Sequence, residues 1–138
     1  MTTIDDVQAQ FAATLPGLLG IEFTELTQER VCATMLVRPD LCTAGGILHG
    51  GSVMAFADTL GAAGTARNLT AGQGTTTVAS STKFLASARV GKTVSAECTA
   101  LHRGRTTMVW QTMIRNDTGR LCAVVTQTQL VLSPAAPG

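Results

Sequence analysis

The chain has 138 residues, of which 45% are hydrophobic and 14% charged, and its formal net charge is +1. This length predicts one domain over residues 1–138, with a core that needs neither disulfides nor metal ions. Because the net charge is close to zero and the basic residues are scattered, nucleic acid is excluded as an expected partner. The high hydrophobic fraction predicts an oligomer whose subunits bury apolar surface against one another.

Residues 2–10 are polar and acidic and lack the basic start and apolar core of a secretory signal, which predicts a cytoplasmic location. The four cysteines lie far apart and form no C-x-x-C pair. A reducing compartment does not favour disulfides, and this spacing does not favour zinc. We therefore expect the cysteines to be small core residues, and we expect no metal site.

The first half of the chain predicts a helix and then a hairpin. Apolar residues recur at helical spacing from Ile4 to Leu15, before Pro16 and Gly17 interrupt the pattern. Residues 21–26 and 31–37 have the composition of two strands joined by a polar turn. A polar, glycine-containing loop follows over residues 40–49.

Residues 50–66 are apolar all round and rich in alanine, which predicts a helix buried on most of its faces. The segment contains four glycines and Asp58, so we do not expect it to span a membrane. Asp58 is its only ionisable residue, and a carboxylate removed from water is costly unless it is paired or solvated. Asp58 is either a functional group or a carboxylate paired with Arg67 or solvated at a wet edge.

The second half predicts long strands over residues 75–85, 92–102, 105–115 and 121–132, followed by a tail over residues 133–138. The turns between the strands are short enough for consecutive antiparallel hairpins. The predicted fold class is therefore α+β, an antiparallel sheet wrapped around one long central helix.

The entry to the central helix is a second candidate for chemistry. Residues 46–51 include Gly50 and Gly51, where backbone N–H groups without intrahelical partners meet the positive end of the helix dipole. Such donors polarise a carbonyl and stabilise an oxyanion. A glycine-rich loop before a helix is more often only a turn, so this signal is weak by itself.

Taken together, these features resemble the hotdog-fold thioesterases, specifically the phenylacetate-degradation and 4-hydroxybenzoyl-coenzyme A branch. The family pattern H-G-G with an acidic residue seven positions after the second glycine is met by His49, Gly50, Gly51 and Asp58. Residues 78–81, 83–91 and 119–124 are similar to further family signatures. The resemblance covers residues 18–132 and implies the hotdog fold.

The resemblance implies a catalytic role for Asp58, as nucleophile or general base, and for the Gly50 N–H, which would polarise the thioester carbonyl. Thr43 stands where the family often has Asn or Gln, and Thr77 is similar to a hydroxyl that holds the attacking water in relatives. His49 suits a general base as well as a structural hydrogen bond at the helix start.

The resemblance also implies an acyl-coenzyme A substrate, favouring aryl or arylacetyl groups, so coenzyme A is part of the substrate and no separate cofactor is expected. Candidate contacts to it are Gly51 and the turn residues Arg89, Lys92, Arg103, Gly104 and Arg105. The implied assembly is a homodimer, or a tetramer of two dimers, without membrane attachment. A hotdog dehydratase or hydratase and a non-catalytic acyl-coenzyme A sensor are the alternative functions.

Overall fold

The computed structural model describes residues 1–134, so positions 135–138 of the predicted tail lie outside the described part. It confirms the α+β class. The elements in chain order are α1 (Ile4–Phe11), α2 (Leu15–Leu19), β1 (Glu22–Leu26), β2 (Arg30–Leu36), a 3-10 turn (Pro39–Leu41), α3 (Gly50–Asn68), β3 (Gly74–Phe84), β4 (Thr93–Arg103), β5 (Thr107–Arg115) and β6 (Leu121–Leu132).

The opening segment contains two helices instead of the single helix predicted. The break falls at residues 12–14, and Pro16 lies in the first turn of α2, where the missing N–H of proline costs nothing. The prediction that Pro16 and Gly17 interrupt the helix was therefore wrong. A Cβ at Gly17 would lie 2.2 Å from the Ala12 carbonyl oxygen, so glycine allows the two helices to meet closely.

The six strands form one antiparallel sheet in the order β1-β2-β4-β5-β6-β3. The predicted hairpin between β3 and β4 is wrong, because β3 pairs with β6 and β4 pairs with β2. Residues 85–92 instead cross back over about 14 Å of sheet, a distance that eight residues, reaching roughly 26 Å, span easily.

The crossing segment 85–92 is held against the loop that precedes α3. Leu48 N–H donates to the Ala88 carbonyl at 2.8 Å, and Gly91 N–H donates to the Val37 carbonyl at 2.8 Å. Ile47 and Arg89 form an isolated antiparallel bridge. The crossing segment therefore fixes the loop that leads into the first turn of α3.

Helix α3 packs on one face of the sheet, with Phe56 and Leu60 fully buried beneath it. Gly64 allows the sheet to approach, since a Cβ there would lie 2.7 Å from the ring of Trp110. The buried Trp110 Nε1 donates to Thr65 Oγ1 at 2.9 Å. None of the described helices is long and apolar enough to cross a membrane.

Candidate active site

Asp58 lies in the third turn of α3 with its side chain half-buried. Its Oδ1 accepts a hydrogen bond from Thr77 Oγ1 at 2.6 Å and from Gln127 Nε2 at 3.3 Å. Among the described residues, Arg67 and the other bases form no salt bridge with it. Asp58 is therefore held by neutral donors, and no described residue donates to its Oδ2.

A second layer of polar groups fixes the hydroxyl of Thr77. Gln129 Nε2 donates to Thr77 Oγ1 at 2.5 Å, and Gln129 Oε1 accepts from Thr75 Oγ1 at 2.9 Å. Because Thr77 Oγ1 accepts from Gln129, its single hydrogen is left to point at Asp58. The result is a chain of hydrogen bonds from β3 and β6 that orients one carboxylate oxygen and leaves the other free.

The sequence did not predict a role for Gln127 or Gln129. In the structure both side chains are almost fully buried. Both lie on β6 two residues apart, so they face the same side of the sheet, toward α3. Gln127 Oε1 has no described partner, a cost that indicates that the amide is kept for the bonds that its Nε2 makes to Asp58. Residues 126–129 read TQTQ and are all polar, so this stretch lacks the alternation of apolar and polar residues that indicates which side of a strand is buried.

Gly61 makes room for this arrangement, and Gly61→Ala tests it. A Cβ at Gly61 would lie 2.3 Å from the amide of Gln127, which is too buried to move aside. We expect a loss of about 1–3 kcal/mol in the free energy of unfolding, measured in urea, together with a lower kcat. A fold as stable as the original would contradict the close packing of Gln127 on α3. Gly74→Ala is the control, because a Cβ there meets nothing within 4 Å.

The first turn of α3 is capped by His49. Its Nδ1 accepts from Gly51 N–H at 2.8 Å, and its carbonyl accepts from Ser52 and Val53 at 2.9 and 3.1 Å. His49 is therefore the N-cap of α3, and its Nδ1 and the Gly51 N–H are both used in the cap. The catalytic role of His49 and the coenzyme A contact of Gly51 stay predictions. The Gly50 N–H, in contrast, has no acceptor among the described residues.

Gly50 lies in a mainly apolar cavity of about 350 Å³, called here the Gly50 pocket, which Thr43 also lines. Phe84 closes one side, 3.2 Å from where a Cβ of Gly50 would stand. Ile114 and Val94 belong to the apolar wall. Thr43 and Gly50 thus line the same pocket, but Asp58 does not line it, and the catalytic role of Thr43 stays a prediction.

Within one chain the carbonyl donor and the carboxylate are far apart. Helix α3 is unbroken from Gly50 to Asn68, so Gly50 and Asp58 are separated by about 12 Å along its axis. A reacting carbonyl needs both groups within about 3 Å of its atoms. One protomer therefore does not assemble the predicted site.

The candidate coenzyme A contacts fall at two ends of the sheet. Arg89 lies on the crossing segment near the Gly50 pocket, whereas Arg103, Gly104 and Arg105 lie at or just beyond the far end of β4, a strand that spans roughly 33 Å. Arg103 is engaged by Glu29 at 3.2 Å and by Asn68 at 3.1 Å. Its role in binding phosphate stays a prediction, as do those of Gly104 and Arg105.

The four thiols are free, and Cys98 and Cys122 are buried, as predicted for core residues, while Cys32 and Cys42 are half-buried. Burial raises the pKa of Cys98 to about 12 and, with a hydrogen bond to Glu25, that of Cys32 to about 11. Both thiols are therefore neutral near pH 7 and poor nucleophiles. Among the described residues, no three His, Cys, Asp or Glu side chains cluster as metal ligands.

The fold is thus an antiparallel sheet around one helix, and that helix carries a carboxylate and an N–H donor that has no acceptor among the described residues. The sequence model of the thioesterase superfamily matches residues 45–123. The chain is 33% identical over 123 residues to the proofreading thioesterase EntH of Cronobacter turicensis, covering 87% of each chain. It is 28% identical over 130 residues to the 1,4-dihydroxy-2-naphthoyl-CoA hydrolase of Escherichia coli, covering 94% of this chain and 95% of that one.

Solved structures agree with the sequence comparisons. The crystal structure of thioesterase HI1161 from Haemophilus influenzae superimposes with a TM-score of 0.91 at 28% identity, covering 99% of this chain and 94% of that one. A mutant form of thioesterase PA1618 from Pseudomonas aeruginosa gives a TM-score of 0.90 at 26% identity, covering 96% and 95%. The chain belongs to the thioesterase superfamily. It has the hotdog fold implied by the resemblance, and it is a thioester hydrolase.

Proposed function

We propose that this protein hydrolyses an acyl-coenzyme A to the free acid and coenzyme A, using Asp58 of one subunit and Gly50 of another. The observation that carries the proposal is the carboxylate of Asp58, with Oδ1 held by Thr77 and Gln127 and Oδ2 left free. A carboxylate oriented in this way, with one oxygen free, is suited to attack or to proton transfer.

In the proposed reaction the thioester carbonyl oxygen accepts the Gly50 N–H, and the positive end of the α3 dipole stabilises the developing oxyanion. Asp58 acts in one of two ways. As a nucleophile, its oxygen displaces the coenzyme A thiolate to form a mixed anhydride, which water then hydrolyses. As a general base, it takes a proton from water while the water oxygen adds to the carbonyl carbon and the C–S bond breaks. In both routes the leaving thiolate takes up a proton that comes from the water consumed, so the products are the free thiol and the acid.

The two groups meet if two protomers associate across a two-fold axis with their α3 helices antiparallel. β3 supports this arrangement, because it is an edge strand of 11 residues with Val78 and Phe84 each 56% exposed. An edge this long is seldom left unpaired. We propose that β3 edges pair in a homodimer, and that two such dimers form a tetramer.

The face of α3 beside that edge is also uncovered. Gly51, Met54, Asp58 and Ala62 recur every three or four residues, and all four are at least partly exposed, whereas nine of the 19 residues of α3 are buried. The residues flanking Asp58 on this stripe are small or flexible, so a second helix is able to approach closely. Asp58 would then lie near the partner's first helical turn.

An aryl or arylacetyl group is the proposed acyl moiety. The Escherichia coli relative is named for an aromatic acyl-coenzyme A, and its similarity runs over nearly the whole chain. The Gly50 pocket, mainly apolar and about 350 Å³ in volume, fits a group of that size next to the carbonyl. Both observations support the aromatic branch that the sequence resembles.

Release of free thiol from a panel of acyl-coenzyme A thioesters tests the proposed function. Benzoyl- and phenylacetyl-coenzyme A should be hydrolysed with higher kcat/KM than straight-chain acyl-coenzyme A of equal carbon number. A preference for straight chains would refute the aryl assignment while leaving the chemistry intact. No thiol release from any member would refute acyl-coenzyme A as the substrate class.

A further inference from the structure

We infer that Phe84 is a specificity-determining residue whose ring favours an aromatic acyl group by stacking against it, an inference that rests on the proposed function. The chain has four phenylalanines, one tryptophan and no tyrosine. The other three phenylalanines and the tryptophan are buried in the core or packed against it. Phe84, in contrast, is more than half exposed, and it lines the Gly50 pocket.

A β-bulge in β3 turns the Phe84 ring toward the site. Thr77 and Phe84 are seven positions apart, so in a regular strand their side chains would point to opposite faces of the sheet. The pairing with β6 shifts register just after Thr77, where Val78 is an extra residue. Thr77 is therefore opposite Gln129, and Phe84 is opposite Ala123, two residues with buried side chains on the face that α3 covers. One strand thus supplies both the hydroxyl that holds the carboxylate and a ring that faces the start of the helix.

The Phe84 ring lies directly against the first residue of α3. Its Cε1 and Cζ atoms are each 3.2 Å from where a Cβ of Gly50 would stand. Because glycine has no Cβ, the distal edge of the ring is able to approach the Gly50 backbone closely. A carbonyl oxygen that accepts the Gly50 N–H would therefore place the adjoining acyl group beside this ring.

The rest of the pocket wall does not distinguish an aromatic ring from a saturated one. Among the described residues that line the Gly50 pocket, Phe84 alone is aromatic, and its large apolar neighbours are aliphatic, for example Val53, Val94 and Ile114. Aliphatic side chains bury either kind of ring according to its apolar area. Two aromatic rings with centroids about 4.5–7 Å apart attract each other further, in edge-to-face or offset contact. Phe84 therefore provides the part of the binding energy that depends on aromaticity.

The test compares two thioesters of similar size, benzoyl-coenzyme A and cyclohexanecarbonyl-coenzyme A, of which only the first has an aromatic ring. In Phe84→Leu, the ratio of kcat/KM for the benzoyl thioester to kcat/KM for the cyclohexanecarbonyl thioester should fall about fivefold. Phe84→Tyr keeps the ring and should keep the ratio, since an added hydroxyl is able to reach solvent from this exposed position. Leu36→Ala is the control and should also keep the ratio, because Leu36 is similarly exposed but is not among the residues that line the pocket.

An unchanged ratio in Phe84→Leu would overturn the inference, and so would an equal fall of the ratio in Phe84→Tyr. Calorimetry gives a readout without hydrolysis, using thioether analogues of the two substrates in which a CH2 group separates the sulfur from the carbonyl. Phe84→Leu should weaken binding of the phenyl analogue about fivefold more than binding of the cyclohexyl analogue. Equal effects on the two analogues would refute the role of Phe84, whereas an absence of thiol release from both thioesters would refute only the proposed function.

Discussion

Replacing Asp58 by Asn is expected to lower kcat for thioester hydrolysis by about a hundredfold or more, because the amide can neither attack the carbonyl nor accept a proton from water. The fold should survive. An amide oxygen at this position still accepts the hydrogen bonds that Thr77 and Gln127 now donate to Oδ1. Steady-state thiol release and a urea unfolding curve measure the two effects separately.

The interpretation of the Asp58→Asn measurement depends on a control variant and on two possible outcomes. Asp5→Asn, an equal change of charge in the first turn of α1, should leave kcat within experimental error. Near-normal turnover in Asp58→Asn would remove Asp58 from the reaction. If kcat and unfolding free energy fell together, the loss would reflect the structural network of Gln127 and Thr77 and would not establish a chemical role.

Mixing two inactive variants is expected to restore about a quarter of the original activity. Asp58→Asn lacks the carboxylate, and Gly50→Pro lacks the N–H that no described residue accepts. If the site spans two subunits, each mixed dimer contains one site with both faults and one intact site. Random re-pairing of equal amounts makes half of the dimers mixed, so about one quarter of all sites are intact.

Gly50→Pro is compatible with the local backbone. Gly50 is the first residue of α3, a position where proline is well tolerated, and His49 before it has φ −64° and ψ 141°, which a following proline allows. Gly50→Ala is the matched control, since it keeps the N–H and its Cβ meets only the exposed ring of Phe84 at 3.2 Å. It should retain much more activity than Gly50→Pro.

The readout is activity measured alongside native mass spectrometry, which shows whether mixed dimers form. If they form and activity does not return, Asp58 and Gly50 act within one chain or in no common site, and the proposed assembly is wrong. Recovery in a mixture of Asp58→Asn with Thr77→Val would not be expected, because Thr77 contacts Asp58 of its own chain. In that mixture one kind of chain lacks the Asp58 carboxylate, and the other kind has the carboxylate but lacks the hydrogen bond from Thr77.

The sequence by itself determined the elements and the chemical candidates. Alternation and turn residues predicted six strands within one or two residues of their bounds, and the apolar composition of residues 50–66 predicted α3. Asp58 stood out because a single charge in an apolar helix is costly wherever that helix packs. These features depend on local sequence patterns, which can be recognised without knowing which segments pack against one another.

Only the tertiary structure decided which strands pair and what holds the carboxylate. β3 joins β6 because residues 85–92 can span the sheet, and a short turn sequence does not reveal whether it closes a hairpin or crosses over. Gln127 reaches Asp58 from 69 residues further along the chain, through a gap that Gly61 leaves open, and Gln129 on the same strand holds Thr77. Such contacts depend on the shape of distant segments after packing, which no local periodicity encodes.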